Sequence, residues 1–184
     1  AVLIPAPVGQ GERQNFRDEI APFPGGSREH EYCGLQCLTH GDNLIRYLIH
    51  DAIRGIDYLA SLPEVDPRAI GVTGGSGGGM LTALMMLLED RVAAAAPAAF
   101  LSDREAIFDT GFWQDAEQNW FGFTGAGYDH VDLLAAFAPK PLLVHAVRYD
   151  YFPIEGTRRT VAAARRFWEM NGRGDRLEMV ETAR

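Results

Sequence analysis

The sequence predicts an α/β fold in which a mostly parallel sheet is flanked by helices. Short apolar segments of strand length alternate along the chain with segments of helical period. The strand segments are continuous apolar runs, which is typical of parallel strands buried on both faces. A glycine-rich segment joins one strand directly to the following helix. These three observations together indicate the fold class.

The first third of the chain predicts a strand, a loop and a long helix. Val2–Pro5 is an apolar run that favours a short buried strand, ended by Pro5 and Pro7. Residues 14–41 have weak periodicity and several prolines and glycines, so we expect a long loop, of a kind that often carries function. Asp42 or Asn43 is expected to cap a helix, whose apolar stripe continues until Pro63 ends it.

The remaining elements alternate between strands and helices. Strands are predicted over 69–73, 92–96, 141–147 and 177–180, and helices over 80–88, 130–137 and 155–171. Asp129 is expected to cap the second of these helices, and Gly172 to follow the third. Residues 98–128 are irregular and rich in aromatic side chains, with no clear element.

Length and composition fit one domain over residues 1–184. The chain is 47% hydrophobic and 23% charged, as ordinary globular proteins are. Its 25 acidic and 17 basic residues give a net charge of −8, which argues against a nucleic-acid partner. No apolar stretch approaches the roughly 20 residues of a membrane helix, so we expect a soluble protein without a membrane partner, whether cytoplasmic or exported.

The residues at both ends of the chain lead us to expect an incomplete domain. The sequence opens on the apolar run Ala1–Ile4 and stops at Arg184, just after a strand-like segment. We therefore expect a sheet that lacks neighbours at its edges, and open edge strands invite self-association.

The cysteines do not predict a metal site. Cys33 and Cys37 are four residues apart with His40 nearby, but a zinc site usually needs four ligands and the chain has no second cysteine pair. Free thiols are the simpler interpretation. We expect neither a metal nor a cofactor.

Gly74–Gly78 matches the pattern G-x-S-x-G between a predicted strand and a predicted helix. In that context the pattern is typical of a nucleophile elbow, in which Ser76 is held on a strained turn above the sheet. Gly77 would offer its backbone N–H to a developing oxyanion. A phosphate-binding loop fits poorly because the lysine of a P-loop is missing, and an inert glycine run is the remaining alternative.

A serine nucleophile needs a base and an orienting acid, which in this arrangement follow in the order serine, acid, histidine. Asp150 lies just past a predicted strand and is the preferred acid. Glu155 is close behind it, although it more naturally caps the next helix. Asp103, past the preceding strand, is a further alternative.

The base stays unassigned, since none of the five histidines follows the last strand. His145 is inside a strand, His50 is on a polar helix face, and His30 and His40 belong to the long loop. His130 follows the helix cap Asp129, where the amino-terminal turn would lower its pKa. It is retained as a lower-ranked candidate for the site rim.

Several longer stretches resemble one family, the acetyl xylan esterase-like α/β-hydrolases. They are Gly9–Arg13, Arg28–His30, Gly34–Cys37, Pro63–Pro67, Gly71–Gly79, Gln114–Asn119, Asp129–His130 and Asp150–Arg159. These bacterial serine esterases are related to dienelactone hydrolases and to prolyl-oligopeptidase-type hydrolases. The resemblance implies an α/β-hydrolase fold and a Ser–His–Asp enzyme that removes acyl groups through an acyl-enzyme, with acetyl esters of carbohydrates as substrates.

By position, the resemblance makes Ser76 the nucleophile and Asp150 the acid. It places the histidine beyond Arg184, and a second oxyanion donor before Ala1. Two other functions stay open from the sequence, namely a non-catalytic hydrolase-fold binding module and a peptidase of the prolyl-oligopeptidase type. Residues 14–41 and 100–128 are expected to form the rim of a substrate cleft.

Overall fold

The computed structural model describes residues 1–16 and 26–183. Their contacts divide the chain into two compact units. Unit 1 comprises residues 1–62 and 113–121, and unit 2 comprises residues 63–112 and 122–184. The prediction of one domain over 1–184 stays a prediction. None of the helices in the described ranges is long and apolar enough to cross a bilayer.

Unit 1 is helical. It contains α1 (Ser27–Thr39), α2 (Ile45–Ser61) and two short 3-10 helices, Gly11–Arg13 and Ala116–Gln118. The second 3-10 helix packs closely on α1, because a Cβ at Gly34 would collide with the side chain of Ala116. The long helix predicted after Asn43 is confirmed as α2.

Unit 2 is a parallel α/β unit. Its strands are β1 (Ile70–Gly75), β2 (Val92–Ala98), β3 (Leu142–Val147) and β4 (Leu177–Thr182), and its helices are α3 (Gly77–Leu88), α4 (Arg104–Asp109), α5 (His130–Phe137) and α6 (Ile154–Met170). The sheet order is β1-β2-β3-β4, and every pair is parallel. The fold is thus a parallel sheet flanked by helices, as the sequence predicts.

The core of unit 2 lies between the sheet and a layer of helices. The helix α3 packs on β1 and β2, α6 packs on β3 and β4, and α5 lies between α3 and α6. Along β3, the buried Leu142, Val144 and Ala146 alternate with more exposed residues, so one face of that strand is covered. Within the described residues, β1 and β4 each pair with a strand on one side only.

Two helix boundaries form where the sequence predicts them. Asp129 and Asp132 make a capping box at the start of α5, in which each side chain accepts a backbone hydrogen bond of the other. Gly172 follows α6 with a φ of 65°, the left-handed conformation that ends many helices.

The strand predicted over Val2–Pro5 is wrong. No described strand pairs with it, and Val2 and Ile4 are 88% and 87% exposed. Apolar side chains alone do not make a strand, which also needs a hydrogen-bonding neighbour.

The loop predicted over 14–41 is wrong for its second half, which forms α1, while residues 17–25 lie outside the described residues. The buried residues of α1 are Glu29, His30 and Gly34, so its buried stripe is polar and leaves no apolar period to detect. In the segment 98–128, described as irregular from the sequence, α4 and the 3-10 helix Ala116–Gln118 form.

Candidate active site

Ser76 forms the whole turn between β1 and α3. Its φ of 56° and ψ of −117° lie in a region that side-chain-bearing residues rarely adopt, and the residue is exposed. Its N–H donates to the carbonyl of Ala98 on β2 (2.9 Å), and its carbonyl accepts the first hydrogen bond of α3, from Met80 (2.9 Å). The backbone of both neighbouring elements therefore holds Ser76 in this conformation, as a nucleophile elbow requires.

Two glycines allow this turn by close backbone approach. A Cβ at Gly74 would lie 2.6 Å from the carbonyl oxygen of Gly78, and a Cβ at Gly79 would collide with the carbonyl oxygen of Ala98 and lie 3.0 Å from the Cβ of Phe100. Gly78 itself has no described atom within 4 Å of the corresponding position. The tight packing between the elbow and β2 thus depends on Gly79.

The substitution Gly79→Ala is therefore expected to lower the free energy of unfolding by about 1–3 kcal/mol, the usual cost of overpacking. The matched substitution Gly78→Ala, one residue earlier in the same helix, should be neutral or stabilise by up to about 1 kcal/mol through helix propensity. Urea unfolding of both variants measures the difference. Equal stabilities would contradict the packing described here.

Gly77 is the first residue of α3, so its N–H has no carbonyl one turn earlier to bond within the helix. The amino end of this 12-residue helix also carries partial positive charge. In the part of the chain that the structure describes, Ser76 Oγ makes no hydrogen bond. A hydroxyl and a backbone donor suited to an anion thus lie side by side.

Asp150 lies at the same edge of the sheet as Ser76. It follows the carboxyl end of β3 by three residues, and β1, β2 and β3 are in register through Gly75, Ala98 and His145. Two strand spacings separate β1 from β3, about 10 Å. The exposed carboxylate of Asp150 accepts a hydrogen bond from the N–H of Tyr151 (2.7 Å).

The two alternative acids are in ion pairs with arginines. Asp103 caps α4 through the N–H of Ala106 (2.8 Å) and accepts two hydrogen bonds from Arg159 (2.8 and 2.9 Å). Burial alone would raise the pKa of Asp103, but these hydrogen bonds and the charge of Arg159 hold that pKa below its usual range. Glu155 pairs with Arg158 on the surface of α6 (2.6 Å). Both carboxylates have structural partners in the described residues.

His130 is buried beneath the edge of the sheet rather than exposed at it. Its ring is 1% exposed, packs on Phe100 with 4.6 Å between ring centroids, and accepts a hydrogen bond at Nδ1 from the N–H of Ser102 (3.3 Å). Burial, with the nearby charge of Arg104, lowers its pKa to about 3. The sequence attributes a lowered pKa of His130 to the amino-terminal turn of α5, whereas in the structure burial is the main cause.

The other histidines also have local roles. His145 Nε2 lies 3.0 Å from Thr182 Oγ1 on the neighbouring strand, and His40 Nδ1 lies 2.8 Å from the carbonyl of Gln36. Within residues 1–16 and 26–183, no histidine is hydrogen-bonded to Ser76 or Asp150. Among the described residues, the structure thus brings Ser76 and Asp150 to one edge of the sheet and places no histidine in hydrogen-bond contact with either.

Unit 1 contains a buried polar cluster that the sequence does not predict. His30 Nε2 lies 2.6 Å from the carbonyl of Val8, and His30 Nδ1 lies 2.8 Å from Glu117 Oε1. Burial alone would lower the pKa of His30, but the hydrogen bond and charge of Glu117, with the Val8 carbonyl, raise that pKa above its ordinary value. Because these residues are up to 109 positions apart, from Val8 to Glu117, no local pattern signals the contact.

The cluster fits a metal ion poorly. Ligand atoms of His30, Asp115 and Glu117 lie within 4.8 Å of one another. However, a histidine ligand needs a nitrogen lone pair, and both ring nitrogens of His30 face acceptors, a carbonyl and a carboxylate. The arrangement instead suits a protonated imidazole.

Because the folded pKa of His30 is raised, its contribution to stability is fully present below the unfolded value of about 6.5 and is lost as pH rises through the folded value. We expect His30→Gln to cost more stability at about pH 6 than at about pH 9. Urea midpoints followed by tryptophan fluorescence measure this, with the exposed His40→Gln as the control. A pH-independent cost for His30→Gln would contradict the interpretation.

The comparisons with known proteins cover most of the chain. The model of the prolyl oligopeptidase family matches residues 42–180. No curated protein gives a significant match. Among solved structures, a protein of Bacteroides fragilis NCTC 9343 assigned as an acetyl xylan esterase has 15% identity and a TM-score of 0.75 over 94% of this chain and 44% of its own.

Two further solved structures are esterases by name. A methylesterase has 27% identity and a TM-score of 0.62 over 75% of this chain and 30% of its own. A glucuronoyl esterase from Solibacter usitatus has 19% identity and a TM-score of 0.61 over 77% of this chain and 45% of its own. The chain thus spans less than half the length of each of these three proteins.

Proposed function

This chain belongs to the prolyl oligopeptidase family, and we propose that it is part of a serine esterase whose nucleophile is Ser76. The observation that carries the proposal is the conformation of Ser76, with a φ of 56° on a one-residue turn between a parallel strand and a helix. Such strain persists where function requires it. Hydrolases of the esterase type among the structural neighbours support the same reaction class.

In the proposed reaction, Ser76 Oγ attacks the ester carbonyl carbon and gives its proton to a histidine. The N–H of Gly77 and the amino end of α3 stabilise the oxyanion of the tetrahedral intermediate. When the tetrahedral intermediate collapses, the bond to the alcohol breaks, and the alcohol leaves with the proton from the histidine. Water then attacks the acyl-enzyme, which releases the carboxylic acid product and restores the Ser76 hydroxyl.

Asp150 is proposed to orient that histidine and to stabilise its charged form. None of the chain's five histidines is bonded to Asp150 in the described residues. The resemblance to the esterases implies a histidine after β4, beyond Arg184, and we propose that histidine as the base.

The proposed substrates are acyl esters on carbohydrates, with acetyl esters first. The support is the resemblance in sequence, together with a neighbour named as an acetyl xylan esterase. The glucuronoyl esterase neighbour supports carbohydrate esters in general, since its name places the sugar in the acyl part of the ester. A peptidase is the alternative that the family name favours. The amine that leaves from an amide depends more on protonation than the alcohol that leaves from an ester. Comparing hydrolysis rates on ester and peptide substrates therefore separates the esterase from the peptidase.

The test is covalent labelling of the full-length gene product with a fluorophosphonate probe, with the labelled residue located by mass spectrometry. We expect label at Ser76 and faster turnover of p-nitrophenyl acetate than of peptide p-nitroanilides. The Ser76→Ala variant gives the background for both. A protein that is neither labelled nor active would instead be the non-catalytic binding module, and faster peptide turnover would favour the peptidase.

A further inference from the structure

The turn that carries Asp150 also carries exposed aromatic rings. Tyr151 follows the acid directly and is 41% exposed, and Phe112 beside it is 58% exposed. The two ring centroids are 5.5 Å apart, with 33° between the ring planes. Together they form a shallow apolar surface at the carboxyl edge of the sheet, where ligands of open α/β sheets bind.

The ring of Tyr151 contacts a chain of buried rings. Tyr151 contacts Phe152 edge to face (5.3 Å), and Phe152 contacts Phe100 edge to face (5.6 Å). Phe152 is 6% exposed and Phe100 is 2% exposed. Tyr151 therefore rests on a packed support and in turn contacts Phe112, so its ring loses little freedom when a ligand covers it.

On the basis of the proposed function, we propose that Tyr151 and Phe112 form a stacking platform for a sugar ring of the substrate. The face of an aromatic ring is electron-rich and attracts the C–H groups on the apolar face of a sugar, while the sugar hydroxyls stay in water. The platform adjoins Asp150, which follows β3. The strand β3 is about 10 Å from β1, the strand that ends just before Ser76. A sugar residue next to the esterified one can span that distance.

The platform predicts discrimination between substrates. For Tyr151→Ala and for Phe112→Ala, we expect the ratio of kcat/KM on acetylated xylo-oligosaccharides to kcat/KM on p-nitrophenyl acetate to fall about tenfold, mainly through KM. Tyr151→Phe keeps the ring and should keep the ratio. Tyr58→Ala, which removes an exposed tyrosine of α2, is the matched control and should leave the ratio unchanged.

The same variants separate failure of the platform from failure of the esterase. If the full-length protein hydrolyses both substrates and the ratio is unchanged in Tyr151→Ala and Phe112→Ala, the platform is overturned and the esterase stands. If no hydrolysis occurs, calorimetric titration of xylo-oligosaccharides into the Ser76→Ala protein decides. If the xylo-oligosaccharides bind and the added substitution Tyr151→Ala abolishes their binding, the platform is supported without the esterase. If they do not bind, the platform is overturned.

Discussion

Replacing Ser76 by alanine is expected to lower ester hydrolysis by about 10³-fold or more, because no other group at the elbow can form the acyl-enzyme. The hydroxyl makes no hydrogen bond within the described residues, so its removal should change the free energy of unfolding by less than about 0.5 kcal/mol. Steady-state hydrolysis of p-nitrophenyl acetate and urea unfolding, both on the full-length gene product, measure the two effects.

Ser76→Gly sharpens this prediction, because glycine adopts a φ of 56° without steric cost. We expect this variant to be as inactive as Ser76→Ala and about 1 kcal/mol more stable than the parent. A gain in stability with a loss of activity would show that the strained serine is kept for catalysis. Hydrolysis at the parental rate in either variant would remove Ser76 from the mechanism.

Most elements of unit 2 were predictable because their signals are local, whereas α4 formed in a segment without a clear predicted element. The strands β2 and β3 are largely apolar runs, and Asp129 and Gly172 mark the start of α5 and the end of α6 in the sequence. The elbow was predictable for the same reason, since a predicted strand, the six small residues Gly74–Gly79 and a predicted helix are adjacent in the chain. Local signals also indicate that the strands are parallel, because helices separate every pair of consecutive strands.

The parts that sequence reasoning missed depend on contacts between distant residues. The helix α1 buries Glu29 and His30, and His30 is matched to Glu117, which lies 87 positions away. The burial of His130 beneath Phe100 depends likewise on tertiary packing. At Val2–Pro5 the error is the opposite. The apolar side chains predicted a strand, but none of the described strands pairs with these residues.

Replacing Asp150 by asparagine is expected to lower kcat by about 10²- to 10⁴-fold with little change in KM. One carboxylate oxygen, Oδ1, accepts from the N–H of Tyr151, which leaves Oδ2 to accept from a histidine N–H. Asparagine can keep the first hydrogen bond through its carbonyl. Its NH₂ group would then face the histidine, and a donor at this position favours the wrong tautomer of the base.

Glu155→Gln and Asp103→Asn are the controls, since they remove the alternative acids. Glu155 is an exposed partner of Arg158, so its loss should change stability by about 0.5 kcal/mol at most and leave kcat unchanged. Asp103→Asn should destabilise the fold through the lost ion pair with Arg159, while asparagine can still cap α4 and kcat per folded molecule stays the same. If kcat falls with Asp103 or Glu155 and not with Asp150, the acid is misassigned, because only the residue that orients the base should change the chemical step without changing stability.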